Sequence, residues 1–407
     1  MFGKLFVALV ALASLYIGNE LSTVYVPETF ESPFLYKTIF LTNKIIGNFA
    51  YYFDFLGFEH EYYIVRRAIE IYDTVFNRVS VRVYSPIKVK SSMPFMVFTH
   101  GGGYSLGHID GFDTYLFEIA RRANIIIISV NYRLSPEFAF PIPLEDSFAV
   151  LEYAIDNYQV LKLDTKRIII AGDSSGGNLA LVLSQQLYIR RQIKPRLQVL
   201  IYPWIQMLNL RFPSHLRYKA LFPTLNSAKI ILWYLGFSKV TVEMQEFLLQ
   251  NKQTLLIRDQ RLRDKYQSYL DINLLPKEYK QARSYYRDYN NILFPNRSYL
   301  INDPLLRNKN FVSKIEKLAD IELSPGLADI EILRNMPPTY MLVFEMDGLK
   351  DEQLIFVERL RLAGVPVNLD FNEEGFHGIA TMLDPVLGLK LPFALLDNVV
   401  KYIELNL

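Results

Sequence analysis

The sequence A-G-D-S-S-G-G at residues 171–177 decides the fold that we expect for this chain. It contains the pattern G-x-S-x-G with Ser174 at its centre, and it stands between a short apolar segment and a helical pattern. A serine at a sharp turn from strand to helix has a strained backbone and an exposed hydroxyl group, and flanking glycines relieve the crowding there. The segment therefore predicts Ser174 as a nucleophile, with Gly172 and Gly176 as the residues that permit the turn.

Short apolar segments alternate with helical patterns on both sides of this turn. Residues 124–131 read N-I-I-I-I-S-V-N, a nearly continuous β-branched segment that is typical of a central parallel strand. The alternation predicts a mostly parallel central sheet flanked by helices, which is an α/β fold. Strands are expected at 80–84, 94–99, 124–131, 167–171, 197–202, 339–344 and 365–371, and helices at 144–157, 176–191, 351–363 and 391–405.

The alternating pattern is interrupted between Pro203 and Pro338, where Leu, Arg, Tyr and Asn are frequent and helical segments are short. An insertion of this length between two core strands is most simply a helical cap over one end of the sheet. The alternative is a second, unrelated domain. We therefore expect a core formed by 78–202 and 339–407, with a cap or lid at 203–338.

A glycine-rich segment, His100-Gly101-Gly102-Gly103, directly follows the strand expected at 94–99. Glycines at this position let backbone N–H groups point at the negative charge that develops on a substrate oxygen. Gly102 and Gly103 are the expected donors, Ser175 supplies a third N–H, and His100 and Gly101 support the loop. A phosphate-binding loop would require G-x-G-x-x-G or G-x-x-x-x-G-K-[ST], and neither pattern fits here.

A serine nucleophile requires a base, and histidine is the usual one. The chain has five histidines, and only His215 and His377 follow Ser174. His215 lies in the expected cap, whereas His377 lies in a glycine-bracketed loop after the last expected strand, so His377 is the candidate base. The acid is expected between nucleophile and base at the end of a strand. Asp347 fits that position, with Asp351 as the alternative.

Composition excludes several classes of protein. The 407 residues carry a formal net charge of +2 without blocks of like charge, which argues against a nucleic-acid partner. Cysteine is absent, so disulfides, zinc ribbons and cysteine nucleophiles are excluded. The serine chemistry requires no metal or organic cofactor. The 28 Phe and 27 Tyr indicate a large core, an apolar pocket or a membrane-facing surface.

The N-terminus has the pattern of a targeting segment. Lys4 precedes an apolar segment at 5–17, and the pattern predicts either a signal-anchor transmembrane helix over 1–20 or a signal that is cleaved before secretion. Residues 21–77 are expected to form an amphipathic or cap-associated segment. Asn296 begins the only N-x-S/T match in the chain and is a glycosylation candidate, consistent with a lumenal loop.

The motifs together resemble the hormone-sensitive-lipase family of α/β-hydrolases. The segments that carry the resemblance are H-G-G-G at 100–103, G-D-S-S-G-G at 172–177, D-G-L-K-D-E at 347–352 and N-Y-R-L-S-P-E at 131–137. The resemblance implies an α/β-hydrolase fold, a triad of Ser174, Asp347 and His377, and an endoplasmic reticulum membrane enzyme of type II orientation with its catalytic domain in the lumen.

Three serines depart from the family pattern. Ser135 replaces the alanine of the N-Y-R-L-A-P-E signature, and Ser175 stands where relatives often have alanine. Ser105 and Phe344 occupy positions where some relatives carry a cysteine pair, so that disulfide is absent here.

The predicted activity is hydrolysis of an apolar acyl ester through an acyl-enzyme intermediate. An acylglycerol, a cholesteryl ester, and an aryl ester or amide are all compatible with the sequence. The expected contacts are this substrate and membrane lipid at the N-terminal helix, with no obligate protein partner. The alternative from another class is a non-catalytic binding protein on the same scaffold.

Overall fold

A computed structural model describes most of the chain. The residues described are 68–89, 92–218, 224–280, 294–295, 303–383 and 390–407. The predicted anchor at 1–20, the segment 21–67 and Asn296 lie outside them. Within the described residues, no helix is both long enough and apolar enough to cross a membrane.

The central element is an eight-stranded, mostly parallel sheet, which confirms the predicted α/β-hydrolase architecture. The strand order is β1-β2-β4-β3-β5-β6-β7-β8. β1 and β4 pair with β2 antiparallel, and all other pairs are parallel. The strands are β1 Ile69–Phe76, β2 Val79–Pro86, β3 Met93–Thr99, β4 Ile126–Val130, β5 Leu163–Asp173, β6 Leu197–Ile201, β7 Thr339–Met346 and β8 Val367–Phe376.

Helices cover both faces of this sheet and form an insertion between β6 and β7. The α-helices of the described residues are α1 Asp113–Ala123, α2 Ile142–Asp156, α3 Ser174–Arg191, α4 Pro213–Arg217, α5 Thr224–Tyr234, α6 Val242–Leu249, α7 Gln260–Tyr269, α8 Lys309–Glu316, α9 Ile330–Leu333, α10 Lys350–Leu362 and α11 Leu391–Asn406.

Alternate side chains of the strands point into two hydrophobic cores, because successive residues of a strand face opposite sides of the sheet. Phe95 and Val97 of β3 lie in the core that also contains residues of α2, α3 and α10. Met96 and Phe98 lie in the opposite core, with residues of α1 and α11. The central strands are therefore buried on both faces, which explains their continuously apolar sequences.

The insertion between β6 and β7 packs onto the hydrophobic core that contains Phe95 and Val97. Phe247 of α6 and Phe311 of α8 meet edge to face at 5.2 Å, and both belong to the same buried cluster as Val97 of the sheet. Arg359 of α10 ties the end of the insertion to the core, because its guanidinium group donates hydrogen bonds to the carbonyl oxygens of Gly326 and Ala328.

One strand was not predicted. The sheet begins at Ile69, whereas the sequence pattern placed the start of the core at 78. β1 is an edge strand whose two ends alone are buried, so its sequence lacks an apolar period. Asn77 and Arg78 form its connection to β2 with φ of 45° and 71°. An Asn-Arg pair lacks the glycine that usually marks such a hairpin turn.

Candidate active site

The nucleophile turn connects β5 to α3, as the sequence predicted. Ser174 is the first residue of α3, and its φ of 53° places it in the left-handed region that side chains rarely adopt. The turn is closed by backbone contacts that leave no space for a side chain. A Cβ atom at Gly176 would lie 2.0 Å from the carbonyl oxygen of Thr99, and one at Gly172 would lie 2.3 Å from the Gly176 oxygen. Both positions therefore require glycine.

The three residues of the predicted triad lie together at the carboxyl ends of β5, β7 and β8. Ser174 Oγ is 2.7 Å from His377 Nε2, and His377 Nδ1 is 2.9 Å from Asp347 Oδ2. Because the carboxyl ends of parallel strands meet at one edge of a sheet, residues that are distant in the chain converge there. In this arrangement His377 Nε2 can take the proton of the serine hydroxyl, while Asp347 orients the imidazole ring.

Asp347 is held in place by further hydrogen bonds and is fully buried. Its Oδ1 accepts from the N–H of Leu349 at 2.8 Å, and its Oδ2 also accepts from the Gln353 amide at 3.4 Å. Asp351, the alternative acid, instead accepts a hydrogen bond from the N–H of Ser214 at 2.7 Å. Asp347 is thus the carboxylate that contacts the histidine.

The glycine loop lies beside the nucleophile. Gly102 and Gly103 have φ of 120° and 64°, and a Cβ atom at Gly102 would lie 2.0 Å from the carbonyl oxygen of Leu106. Within the part of the chain that the structure describes, no acceptor is bound to the N–H group of either glycine. Ser175 is the second residue of α3, where an N–H group has no partner inside its own helix. The N–H groups that the sequence analysis predicted as oxyanion donors therefore lie in the loop and the helix turn next to Ser174, and among the described residues they have no acceptor.

Asp173 holds the start of this loop, a role that the sequence analysis missed. Its Oδ1 accepts a hydrogen bond from the N–H of Gly101 at 2.6 Å. Burial raises the pKa of this carboxyl group to about 7, while the hydrogen bond from Gly101 and the nearby His377 act in the opposite direction. The sequence indicates only that an acidic residue at the end of an apolar strand requires a hydrogen-bond partner. It does not identify Gly101 as that partner, because the two residues are 72 positions apart.

The insertion reaches the glycine loop through α5. A Cβ atom at Gly103 would lie 2.9 Å from Cδ1 of Ile230, so this side chain packs directly on the loop. Tyr234, one helical turn further, stacks on Tyr104 with ring centroids 3.8 Å apart. Tyr104 and Tyr234 are fully buried and Ile230 is partly buried, so the apolar surface left accessible beside the loop is that of Ile230.

Two other histidines are buried near the site. His100 stacks on Tyr132 with ring centroids 4.3 Å apart, and its Nδ1 lies 2.8 Å from the carbonyl oxygen of Gly101. His215 is packed at the base of the insertion with its Nε2 3.9 Å from Glu352 Oε2, and among the described residues neither ring nitrogen has a hydrogen-bond partner. Burial lowers the pKa of each to about 4. Neither contacts Ser174, which leaves His377 as the histidine at the nucleophile.

The lowered pKa of His215 predicts an acid-sensitive stability. The unfolded chain binds a proton near pH 6.5 and the folded chain only near pH 4, so stability falls as the pH is lowered through this window. We expect His215→Gln to reduce the loss of unfolding free energy between pH 6 and pH 5 by about 1 kcal/mol relative to the wild type. Urea unfolding at the two pH values measures this difference.

His108→Gln is the control, because it removes an exposed histidine and therefore shows the effect of losing a histidine that is not buried. An equal pH dependence in the wild type and in His215→Gln would contradict the assignment of a buried neutral imidazole at 215.

Comparison with known proteins identifies the family to which the chain belongs. Residues 96–248 and 277–381 match the sequence family described as alpha/beta hydrolase fold. Arylacetamide deacetylase of Oryctolagus cuniculus is 30% identical over 388 residues, which cover 89% of this chain and 92% of the relative. Neutral cholesterol ester hydrolase 1 of Mus musculus is 30% identical and covers 83% of this chain and 81% of its own length.

Solved structures share the fold. A hyperthermophilic esterase from the archaeon Pyrobaculum calidifontis superposes with a TM-score of 0.55 at 21% sequence identity, over 90% of this chain and 91% of that chain. The family match and the curated relatives confirm the resemblance that the motifs indicated. The chain belongs to the alpha/beta hydrolase fold family, in its hormone-sensitive-lipase-like branch, and is a carboxylic ester hydrolase.

Proposed function

We propose that this protein hydrolyses apolar acyl esters by two-step acyl transfer to Ser174. The observation that carries the proposal is the hydrogen-bonded chain from Ser174 through His377 to Asp347, which lies beside a glycine loop with two unused N–H groups. A nucleophile, a base, an orienting acid and oxyanion donors are the parts that acyl transfer requires.

In the first step, Ser174 Oγ attacks the ester carbonyl carbon while His377 Nε2 takes the hydroxyl proton. The carbonyl electron pair moves to the oxygen, and that oxyanion accepts hydrogen bonds from the N–H groups of Gly102, Gly103 and Ser175. When the intermediate collapses, the bond to the leaving oxygen breaks, and His377 gives its proton to the departing alcohol.

In the second step, a water molecule attacks the acyl group on Ser174, with His377 again as the base. Collapse of this intermediate releases the carboxylic acid and returns the proton to Ser174 Oγ. Asp347 accepts the Nδ1 hydrogen bond throughout, so that Nε2 faces the serine and the imidazolium form is stabilised.

Removal of the nucleophile is the direct test of this mechanism. We expect Ser174→Ala to lower kcat on the order of 10⁶-fold and Asp347→Asn about 10⁴-fold, because the first removes the attacking atom and the second leaves the imidazole in the wrong tautomer. Turnover of an aryl ester and labelling by a fluorophosphonate probe measure both effects.

His215→Gln is the matched control, because His215 is the other histidine that follows Ser174 in the chain. Its turnover at neutral pH should remain of the wild-type order. Near-normal esterase activity in Ser174→Ala would rule out this nucleophile.

The substrate class rests on the apolar contact beside the glycine loop. Ile230, which is only partly buried, presents apolar surface against Gly103, at the point where the ester carbonyl is expected, and the stacked rings of Tyr104 and Tyr234 are fully buried beside the same loop. Such a surface favours substrates that bury hydrocarbon. Two relatives are named for removal of an acetyl group from an arylacetamide and for hydrolysis of cholesterol esters. Acylglycerols, cholesteryl esters and aryl esters or amides are the substrates that we propose.

A larger side chain at Ile230 should discriminate against long acyl groups. We expect Ile230→Trp to lower kcat/KM for a long-chain acyl ester about 10-fold more than for the acetyl ester of the same alcohol, because one to two kcal/mol of pocket contact is lost only for the larger group. The measurement is kcat/KM across an acyl-length series.

Val242→Trp, at an exposed position of α6, is the control for a tryptophan in the insertion. An equal effect on all chain lengths would contradict the placement of Ile230 at the acyl group. A steep fall of wild-type turnover with chain length would remove the lipid esters and leave the small aryl substrates.

We also propose that residues 1–20 anchor the enzyme in the endoplasmic reticulum membrane, with the catalytic domain in the lumen. The basic residue Lys4 before the apolar segment 5–17 supports this orientation, and Asn296 would then be accessible to glycosylation. The alternative is cleavage of the segment and secretion.

We expect the full-length protein in cells to remain in the membrane pellet after alkaline extraction, and to shift in mass on endoglycosidase treatment. Asn296→Gln should remove the shift without releasing the protein from the membrane. Recovery of a shortened protein in the culture medium would contradict the anchor.

A further inference from the structure

Tyr104 follows the oxyanion glycines directly, and both of its backbone polar groups are bound by serines. Its N–H group donates to Ser175 Oγ at 3.3 Å. Its carbonyl oxygen accepts two hydrogen bonds from Ser135, one from the N–H at 2.8 Å and one from Oγ at 3.0 Å. The peptide groups on both sides of Tyr104 are therefore fixed by residues from two other parts of the chain.

A third serine completes the arrangement. Ser105 Oγ lies 2.8 Å from Ser135 Oγ. A serine hydroxyl has one proton, and that of Ser135 is directed at the Tyr104 carbonyl oxygen, so Ser105 must be the donor in this pair. We call Ser105, Ser135 and Ser175 the serine clamp. Ser135 and Ser175 are almost completely buried, so water does not compete for these hydrogen bonds.

Within the loop, the Gly102 carbonyl oxygen accepts a hydrogen bond from the N–H of Leu106 at 2.9 Å, whereas the N–H groups of Gly102 and Gly103 have no acceptor among the described residues. Gly102 and Gly103 have positive φ and no side chains, and glycine has more accessible conformations than any other residue. The start of the loop is held by Asp173, which binds the N–H group of Gly101. The serine clamp holds its other end at Tyr104. The two residues beside the nucleophile, Asp173 and Ser175, thus bind the loop on either side of the glycines.

We propose that the serine clamp positions the N–H groups of Gly102 and Gly103 for the oxyanion, so that Ser135 and Ser175 are positioning residues for the reaction. The inference rests on the proposed function and deepens it. An oxyanion donor acts only when it lies at hydrogen-bonding distance from the developing charge, and a small displacement of the donor weakens that bond.

A purely structural role and a positioning role have different consequences. If these hydroxyl groups only stabilise the fold, their removal lowers the unfolding temperature and leaves the kinetic constants of the folded enzyme unchanged. If they position the donors, their removal lowers kcat and leaves KM almost unchanged, because the oxyanion forms only after the substrate has bound.

The experiment compares Ser135→Ala, Ser175→Ala and the double variant, using the full chain in detergent. Each is assayed with an aryl ester and with the corresponding thionoester, in which sulfur replaces the carbonyl oxygen. Sulfur accepts hydrogen bonds poorly, so the thionoester makes little use of the oxyanion donors. Alanine at either position removes only the hydroxyl group and adds no atom, so neither substitution introduces a steric clash.

We expect kcat for the oxygen ester to fall about 5-fold in each single variant and about 20-fold in the double variant, with KM changed less than about 2-fold. Turnover of the thionoester should change little, so the preference for oxygen over sulfur decreases. Ser184→Ala is the matched control, because Ser184 lies in α3, the helix that contains Ser175, and is likewise buried. Its hydroxyl donates to the Ala180 carbonyl oxygen at 3.1 Å, away from the glycine loop. It should alter neither kcat nor the oxygen preference.

Equal loss for oxygen ester and thionoester, or loss confined to thermal stability, would overturn the positioning role while leaving the proposed function intact. Absence of ester turnover by the wild-type protein would overturn the proposed function and the inference together. Unchanged kcat in the double variant, with normal wild-type turnover, would overturn the inference alone.

Discussion

The close approach of two backbones at Gly176 is the constraint on which the rest of the site depends. The first turn of α3 lies against the end of β3 so tightly that a Cβ atom at 176 would meet the carbonyl oxygens of Thr99 and His100 at 2.0 and 2.4 Å. The hydroxyl of Thr99 donates to the Gly176 carbonyl oxygen at 2.7 Å and fixes this contact. Because the glycine loop continues directly from β3, the same contact brings the loop beside Ser174.

The strained conformation of Ser174 follows from this geometry. A residue with φ of 53° is unfavourable by itself and persists only where the surroundings determine it. Here the buried strand β5 leads into the turn and the long helix α3 follows it, and the backbone contacts at Gly172 and Gly176 close it. The strain is therefore maintained by the packing of the sheet, and the turn places the Ser174 hydroxyl at the carboxyl ends of the strands, 2.7 Å from His377 Nε2.

The elements with strong local signals were predictable from the sequence. Every segment predicted as a strand is a strand in the structure, because buried parallel strands are continuously apolar. Chain order and strand position also singled out Asp347 and His377, which the fold brings within hydrogen-bonding distance of each other. The edge strand β1 was missed because only its ends are buried. The binding of Gly101 by Asp173 could not be predicted, since no local pattern encodes a contact between residues 72 positions apart.

The insertion is the part for which sequence gives the least information and tertiary packing the most. Its helices are short, and their sequences do not indicate which of them lies near the site. In the structure α5 does, with Ile230 against Gly103 and Tyr234 against Tyr104. The insertion therefore contacts the same loop that carries the oxyanion donors. A substrate group that displaced Ile230 would press on Gly103 and alter the position of its N–H group. The proposed selection of the acyl group and the proposed oxyanion donors therefore meet at the contact between Ile230 and Gly103.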